Sequence, residues 1–123
     1  MTAVVVGVGA RCDVPAAVVD EAVDGALARA GLTTAAVAAL ATLDRRTAVL
    51  GPVAARRGWP LMAFPPEVLA EVVVPHPSAR VAALAGVPGV AEAAALAGAG
   101  PGAVLVLPKQ LCGPVTVAIA RCP

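Results

Sequence analysis

The stretch Thr2-Ala3-Val4-Val5-Val6-Gly7-Val8-Gly9-Ala10-Arg11 determines the fold class that we expect for this chain. Its β-branched run predicts a strand over residues 2–8, and a continuous apolar run is typical of a strand buried on both faces. The glycines open a turn, and Asp13 stands as a candidate cap before a helical pattern with Pro15 in its first turn. The turn at Gly7–Arg11 is therefore the first candidate functional site.

The rest of the chain alternates between strand and helix patterns. Further strands are predicted over residues 37–43, 60–64, 103–107 and 115–120. Helices or helical turns are predicted over 14–30, 33–36, 48–57, 65–72, 79–85 and 90–96, with an extended segment over 73–77, an N-cap at Ser78 and a loop over 86–89. This order predicts a single three-layer αβα domain over residues 1–123. Its sheet should be mostly parallel with a mixed edge and have about five strands.

Composition narrows the function classes. The chain has 123 residues, of which 59% are hydrophobic, and a formal net charge of +1. Its longest uncharged stretch, residues 93–108, is interrupted by glycines and Pro101, whereas a membrane span needs roughly 20 apolar residues. Scattered basic residues without interleaved aromatic residues argue against nucleic-acid binding. With no visible signal sequence and no CxxC spacing, we expect a cytoplasmic protein that binds neither membrane nor nucleic acid and holds no metal or cofactor.

Basic residues are predicted to collect at one edge of the sheet. Ligands of open parallel sheets bind outside the carboxyl ends of the strands. Helix N-termini at that edge add N–H donors and partial positive charge. The loops after the first two predicted strands would gather Arg11, Arg45 and Arg46, and Lys109 joins them if the fourth strand is also parallel. Such an edge suits an anionic ligand that carries carboxylates or phosphates.

The glycine turn by itself also has an ordinary interpretation as a strand-to-helix connection. A dinucleotide fingerprint would need a third glycine where Cys12 stands, and Asp44 lies too far along the chain to be its acidic residue. Cys12 beside Arg11 would be a nucleophile only with a histidine partner, and nothing in the sequence places His76 next to it. Catalytic residues therefore stay unassigned.

Glu92 is the only charged residue between Arg80 and Lys109. A lone carboxylate in so apolar a stretch is expected to contact Lys109 or a helix terminus. Glu92 and Asp44 are too far apart in sequence to be assigned as an acid/base pair, and a capping or solvent-facing role is the ordinary interpretation of each.

Five segments of the chain match, in order, the pattern of one known family. The family's Gly-Ile-Gly-Cys-Arg-Arg-Gly turn appears as residues 7–13, Gly-Val-Gly-Ala-Arg-Cys-Asp, and its Ala-Thr-Ile-Asp segment as residues 41–44. Its Pro-Asn-Pro-Ser loop resembles residues 74–78, and its Ser-Val-Ala-Glu-Ala-Ala-Ala-Leu helix resembles residues 89–96. Residues 107–110 and 115–121 are similar to its closing lysine and Thr-Val-Ala-Ile-Ala-Arg strand. The chain thus resembles, over nearly its whole length, the CobE proteins and the C-terminal domain of CbiG, from cobalamin biosynthesis.

The resemblance implies which residues form the site. The positions that retain the family pattern, and are expected to bind the ligand, are Gly7, Gly9, Arg11, Thr42, Asp44, Ser78, Glu92, Lys109 and Thr116. The chain departs from the pattern at Ala10, Cys12, Asp13 and Gly89. No role is carried over to Ala10 or Cys12.

The resemblance also implies a role in building the corrin ring. We expect an accessory protein that binds a precorrin-like polyanionic tetrapyrrole, with Arg11 and Lys109 pairing with its carboxylates. One alternative is a hydrolase acting on the lactone of cobalt-precorrin-5A, the activity associated with full-length CbiG proteins. The other is a non-catalytic module that docks to a second enzyme of corrin biosynthesis.

Overall fold

A computed structural model describes residues 3–11, 13–72 and 90–123. The strands are β1 (Val4–Ala10), β2 (Val37–Leu43), β3 (Leu61–Phe64), β4 (Val104–Cys112) and β5 (Val115–Arg121). The helices are α1 (Ala16–Arg29), α2 (Thr47–Arg57), α3 (Pro66–Ala70) and α4 (Val90–Ala99), with single 3-10 turns over Thr34–Ala36 and Asp44–Arg46. None of these helices is long and apolar enough to cross a membrane.

The strands form one mixed sheet in the order β3-β2-β1-β5-β4. β1 pairs in parallel with β2, and β2 with β3, because α1 and α2 carry the chain back to the same end before each new strand begins. β5 pairs antiparallel with both β1 and β4, and a turn at Gly113 with φ of 63° makes β4 and β5 a hairpin. The predicted α/β class and mixed sheet are confirmed.

Helices cover both faces of this sheet. Val4, Val6 and Val8 of β1 lie in a large apolar cluster with the inner sides of α1 and α2. Val5, between them, points the other way into a second cluster beneath α4. All four valines are at most 2% exposed, as their continuous apolar run predicts. The expected three layers are present.

α4 packs close to the sheet because the facing residues are small. Ala91, Ala93, Ala94 and Ala95 are at most 2% exposed. Gly7 of β1 lies beneath them, and a Cβ built on Gly7 would lie 2.7 Å from the backbone nitrogen of Ala95 and 2.9 Å from its Cβ. Because the core is poor in aromatic residues and rich in alanine, α4 can lie close to the sheet.

The ends of the first two helices follow the sequence signals, with one exception. α2 ends at Arg57, immediately before Gly58 in the left-handed region with φ of 69°, as predicted. The cap assigned to Asp13 is wrong. Pro15 is the residue that precedes α1, and no side-chain capping bond forms there. Asp13 lies too far before the first helical turn, and it pairs instead with Arg11.

β4 continues past the predicted end at residue 107. The sequence interpretation ended the strand at residue 107 and placed residues 108–110 in the following loop. Proline lacks the N–H that a strand ladder uses. Pairing with β5 nevertheless extends to Cys112. A bulge accommodates the proline, since the register shifts so that Pro108 and Lys109 together face Ala118.

Several predictions for the middle of the chain lie outside the described residues. They are the extended segment over 73–77, the cap at Ser78, the helix over 79–85 and the loop over 86–89.

An ion-pair network joins α1 to α2. Arg57 donates from Nε to Asp20 Oδ1 over 2.7 Å, and its Nη2 lies 2.9 Å from Asp24 Oδ1. The same guanidinium lies 5.0 Å from the ring centroid of Trp59. Burial opposes the charge on Arg57, but hydrogen bonds and Coulomb attraction from Asp24 and Asp20 outweigh it and raise the pKa of Arg57.

Replacing Arg57 with methionine is expected to lower the free energy of unfolding by about 2 kcal/mol, because Asp20 loses its main partner. The side chains of Arg57 and Asp20 are only 17% and 15% exposed. Because the pKa of Arg57 is raised, its ion pairs contribute their full stabilisation at every pH below the ordinary arginine range. That stabilisation is lost only as pH rises through the raised pKa. The loss should therefore be constant from about pH 6 to about pH 9.

Urea unfolding of Arg57→Met and Arg56→Met measures this effect. Arg56 contacts the same Asp20, but its side chain is 63% exposed, so its removal should cost no more than about 0.5 kcal/mol. Equal losses in the two variants would contradict the role assigned to Arg57.

Candidate functional site

The candidate site lies where several strands end together. β1, β2 and β3 run in parallel, so their carboxyl ends meet at one edge. β4 runs in the same direction as β1, since both are antiparallel to β5, and its second half reaches the same edge. α4 begins there too, because a Cβ built on Gly9 would lie 3.8 Å from Val90 Cβ and 3.9 Å from Ala91 N. We call this region the carboxyl edge: residues 9–11, 13, 42–47, 90–92, 109–112 and 115–116.

Arg11 is a solvent-exposed member of the predicted binding set. Its side chain is 77% exposed, and its Nε lies 3.7 Å from Asp13 Oδ1, itself 73% exposed. Such a solvated pair contributes little to stability. The backbone is better fixed than the side chain, since the Arg11 carbonyl accepts a hydrogen bond from Val14 N over 3.3 Å. Arg11 is thus free to turn toward an anion outside the edge.

Thr42 lies deep in the sheet beneath this edge. It is fully buried, and its Oγ1 donates a hydrogen bond to the Val8 carbonyl over 2.8 Å. The hydroxyl of a buried threonine needs such a partner. The contact ties β2 to β1 and so fixes the relative heights of the two turns that follow these strands.

The turn after β2 carries three charges in succession. Asp44 and Arg45 are exposed, whereas Arg46 is half-buried. Arg46 Nε donates to the Ala10 carbonyl over 2.7 Å. The turn after β2 is thereby tied to the last residue of β1, and three positive side chains, Arg11, Arg45 and Arg46, are held on adjacent turns.

Glu92 lies in the first turn of α4 and is fully buried. Its Oε2 accepts a hydrogen bond from the backbone N–H of Lys109 over 3.1 Å. This N–H lies in the β4 bulge, where Pro108 interrupts the ladder, so the carboxylate receives a donor from the interrupted strand. The expected contact between Glu92 and Lys109 is confirmed, and it runs through the backbone of Lys109.

Thr116 completes the central part of the edge. It pairs with Gly9 on one side and with Leu111 on the other, and it is half-buried. A Cβ on Gly9 would lie 3.8 Å from Thr116 Cβ, an ordinary contact distance. Gly9 therefore leaves room for a methyl group between Thr116 and the start of α4, whereas Gly7 lies deeper under the helix.

The fold brings most of the predicted binding residues to one edge. Gly9, Arg11, Asp44 and Thr116 lie on it, Thr42 and Glu92 support it from inside, and Gly7 lies below it under α4. Lys109 lies at its border on β4, at the height of Gly7. Ser78 lies outside the described residues, as do Cys12 and His76. Within the described ranges, no three His, Cys, Asp or Glu side chains are grouped so that they could hold a metal ion. Ligand contact by each of these residues stays a prediction.

Comparison with known proteins identifies the family. The family model described as "Cobalamin synthesis G C-terminus" matches residues 4–120. The chain belongs to this family. The resemblance drawn from the five sequence segments is therefore confirmed, and the chain is a cobalamin biosynthesis protein. No match was found among the curated proteins.

Solved structures agree with this family. The crystal structure of CobE, a protein from the cobalamin (vitamin B12) biosynthetic pathway, has a TM-score of 0.86 and 30% identity, over 98% of this chain and 90% of that one. The cobalamin biosynthesis protein chiG from Agrobacterium tumefaciens gives 0.72 and 34%, over 95% and 96% of the two chains. A putative cobalamin biosynthesis protein G homolog from Sulfolobus solfataricus, at 20% identity, shares the fold with a TM-score of 0.82, and the match spans 37% of that chain.

Two features of this family member were missed by the sequence interpretation. One is the contact of Arg46 with the Ala10 carbonyl, which links residues 36 positions apart and leaves no local pattern. The other is the bulge in β4, and here a signal was available. Proline directly after an apolar run is compatible with a bulge as well as with a strand end.

Proposed function

We propose that this member of the family is an accessory protein that holds a precorrin-like, polycarboxylated tetrapyrrole at the carboxyl edge. The observation that carries this proposal is the concentration of cations there. Four of the eight basic residues in the described ranges belong to the edge, namely Arg11, Arg45, Arg46 and Lys109. The edge carries two exposed carboxylates, those of Asp13 and Asp44. A polyanion is therefore attracted to this edge.

The other four basic residues of the described ranges have partners or positions that do not add to the charge of this edge. Arg56 and Arg57 are paired with the aspartates of α1. Arg29 donates to Gln110 Oε1 over 3.1 Å. Arg121 ends β5 opposite the start of β1, at the far edge of the sheet. At the edge, by comparison, Arg45, Arg46 and Lys109 form no ion pair with a described carboxylate, and Arg11 forms only a solvated pair with Asp13.

Mixing the protein with cobalt-precorrin-5A tests the proposal. We expect the tetrapyrrole to co-elute with the protein in gel filtration and its absorbance spectrum to shift while the lactone stays closed. The double variant Arg11→Gln/Lys109→Gln should weaken binding about 100-fold, since each charge-assisted contact contributes about a factor of ten. The control Arg56→Gln/Arg121→Gln removes the same charge away from the edge and should change affinity less than about threefold.

The outcomes separate the candidate functions. Opening of the lactone with release of a two-carbon fragment would show a hydrolase instead. Unchanged tetrapyrrole that neither co-elutes nor shifts its spectrum would overturn the binding proposal.

One observation favours docking to another enzyme of corrin biosynthesis as a second candidate. β4 is an outer strand of the sheet, and Val104, Val106 and Leu111 on it are 51%, 39% and 79% exposed. An outer strand with exposed apolar side chains is a surface for pairing with another chain. Co-elution of the two purified proteins is the discriminating measurement. For either role we propose a cytoplasmic location, in keeping with the free thiols of Cys112 and Cys122.

A further inference from the structure

Arg46 is the most firmly placed cation of the carboxyl edge. Its Nε donates to the Ala10 carbonyl over 2.7 Å, and the residue is half-buried. Arg11, by contrast, has a side chain that is 77% exposed. Much of the conformational freedom of the Arg46 side chain is therefore lost in the free protein, so a ligand that binds to it does not have to order it.

The outer part of this guanidinium is available. The bond to Ala10 uses the one donor on Nε, out of five in the group. Nη1 lies 3.5 Å from the Arg45 carbonyl oxygen, at the outer limit of a hydrogen bond, and Nη2 makes no hydrogen bond with a described residue. No carboxylate of the described ranges forms an ion pair with Arg46.

We infer that Arg46 anchors one carboxylate of the ligand, through its two Nη groups. This carboxylate subsite rests on the proposed function. It assigns a specific role to Arg46, which is not among the residues that retain the family pattern. Two parallel N–H donors match the two oxygens of a carboxylate, and the bond to Ala10 fixes their direction. Arg11 and Lys109 hold further carboxylates with less constrained side chains. Arg46 therefore sets the orientation of the ligand on the edge.

Equilibrium titration of cobalt-precorrin-5A, followed by absorbance, tests this inference. Arg46→Gln should weaken binding about 30-fold, and Arg46→Lys, which keeps the charge but loses the paired donors, about tenfold. Arg45→Gln should cost only about threefold, because Arg45 is exposed and has no fixed direction. Arg121→Gln controls for the loss of one charge elsewhere. Thermal unfolding of each variant shows whether loss of the Ala10 contact has changed the fold.

The salt dependence separates ligand contact from support of the turn. If Arg46 touches the carboxylate, Arg46→Gln binds with a weaker dependence on salt than the wild type, as one ion pair is missing. An unchanged salt dependence, or equal losses in Arg46→Gln and Arg45→Gln, would overturn the subsite while leaving the proposed function standing. Wild-type protein that does not bind at all would overturn both.

Discussion

Replacing Gly7 with alanine is expected to cost about 3 kcal/mol or more of the free energy of unfolding. The added Cβ would lie 2.7 Å from the backbone nitrogen of Ala95 and 2.9 Å from its Cβ, and the Ala91 carbonyl oxygen is nearer still. These are helix backbone atoms and a core methyl group, so no flexible side chain can move aside. Either α4 shifts away from the sheet or β1 is displaced. Urea unfolding followed by circular dichroism measures the loss.

Gly25→Ala is the matched control for this substitution. Gly25 lies in the exposed part of α1, and nothing lies within 4 Å of a Cβ built there. Alanine favours helix over glycine, so this variant should gain about 0.5–1 kcal/mol. A Gly7→Ala variant as stable as the wild type would contradict the close approach of α4 to the sheet. It would also remove the reason for a glycine in the middle of a buried strand.

Local patterns were sufficient to predict most of the fold. The β-branched run of β1 and the spacing of apolar residues in α1 are properties of neighbouring residues, and local preference and tertiary packing agree there. The strand predicted over 37–43 is β2 as observed. Gly58 marked the end of α2 for a local reason, because few other residues adopt a positive φ.

The site was less predictable, because its contacts are long-range. The carboxyl-edge rule placed Arg11 at this edge from topology, and it added Lys109 only on the condition that the fourth strand is parallel. It could not reveal that Arg46 would bind the Ala10 carbonyl, since both partners are common residues with no fixed spacing. Nor could it distinguish Thr42, whose hydroxyl donates to the Val8 carbonyl of β1, from residues that face solvent.

Glu92 shows how an interior contact shapes the edge. A carboxyl group is buried only where hydrogen bonds replace its water, and one donor to Glu92 is the Lys109 N–H of the β4 bulge. The bulge in turn exists where Pro108 cannot donate to β5. The first turn of α4 and the outer strand are therefore fixed to each other at the point where Lys109 enters the edge. We expect Glu92 to position Lys109 from inside.

Glu92→Ala is accordingly expected to lower the free energy of unfolding by about 2–3 kcal/mol, since it leaves a cavity and deprives the Lys109 N–H of its acceptor. Glu92→Gln keeps a side-chain oxygen at that position and should lose only about 1 kcal/mol. Glu21→Ala, at an exposed position of α1, should change stability by less than about 0.5 kcal/mol.

Amide hydrogen exchange measures the effect locally, at the Lys109 amide. The Lys109 amide should exchange much faster in Glu92→Ala than in Glu92→Gln, because an amide that loses its acceptor exchanges without unfolding of the strand. Equal protection of that amide in both variants would show that the bulge holds without the carboxylate, and Glu92 would then act on α4 alone.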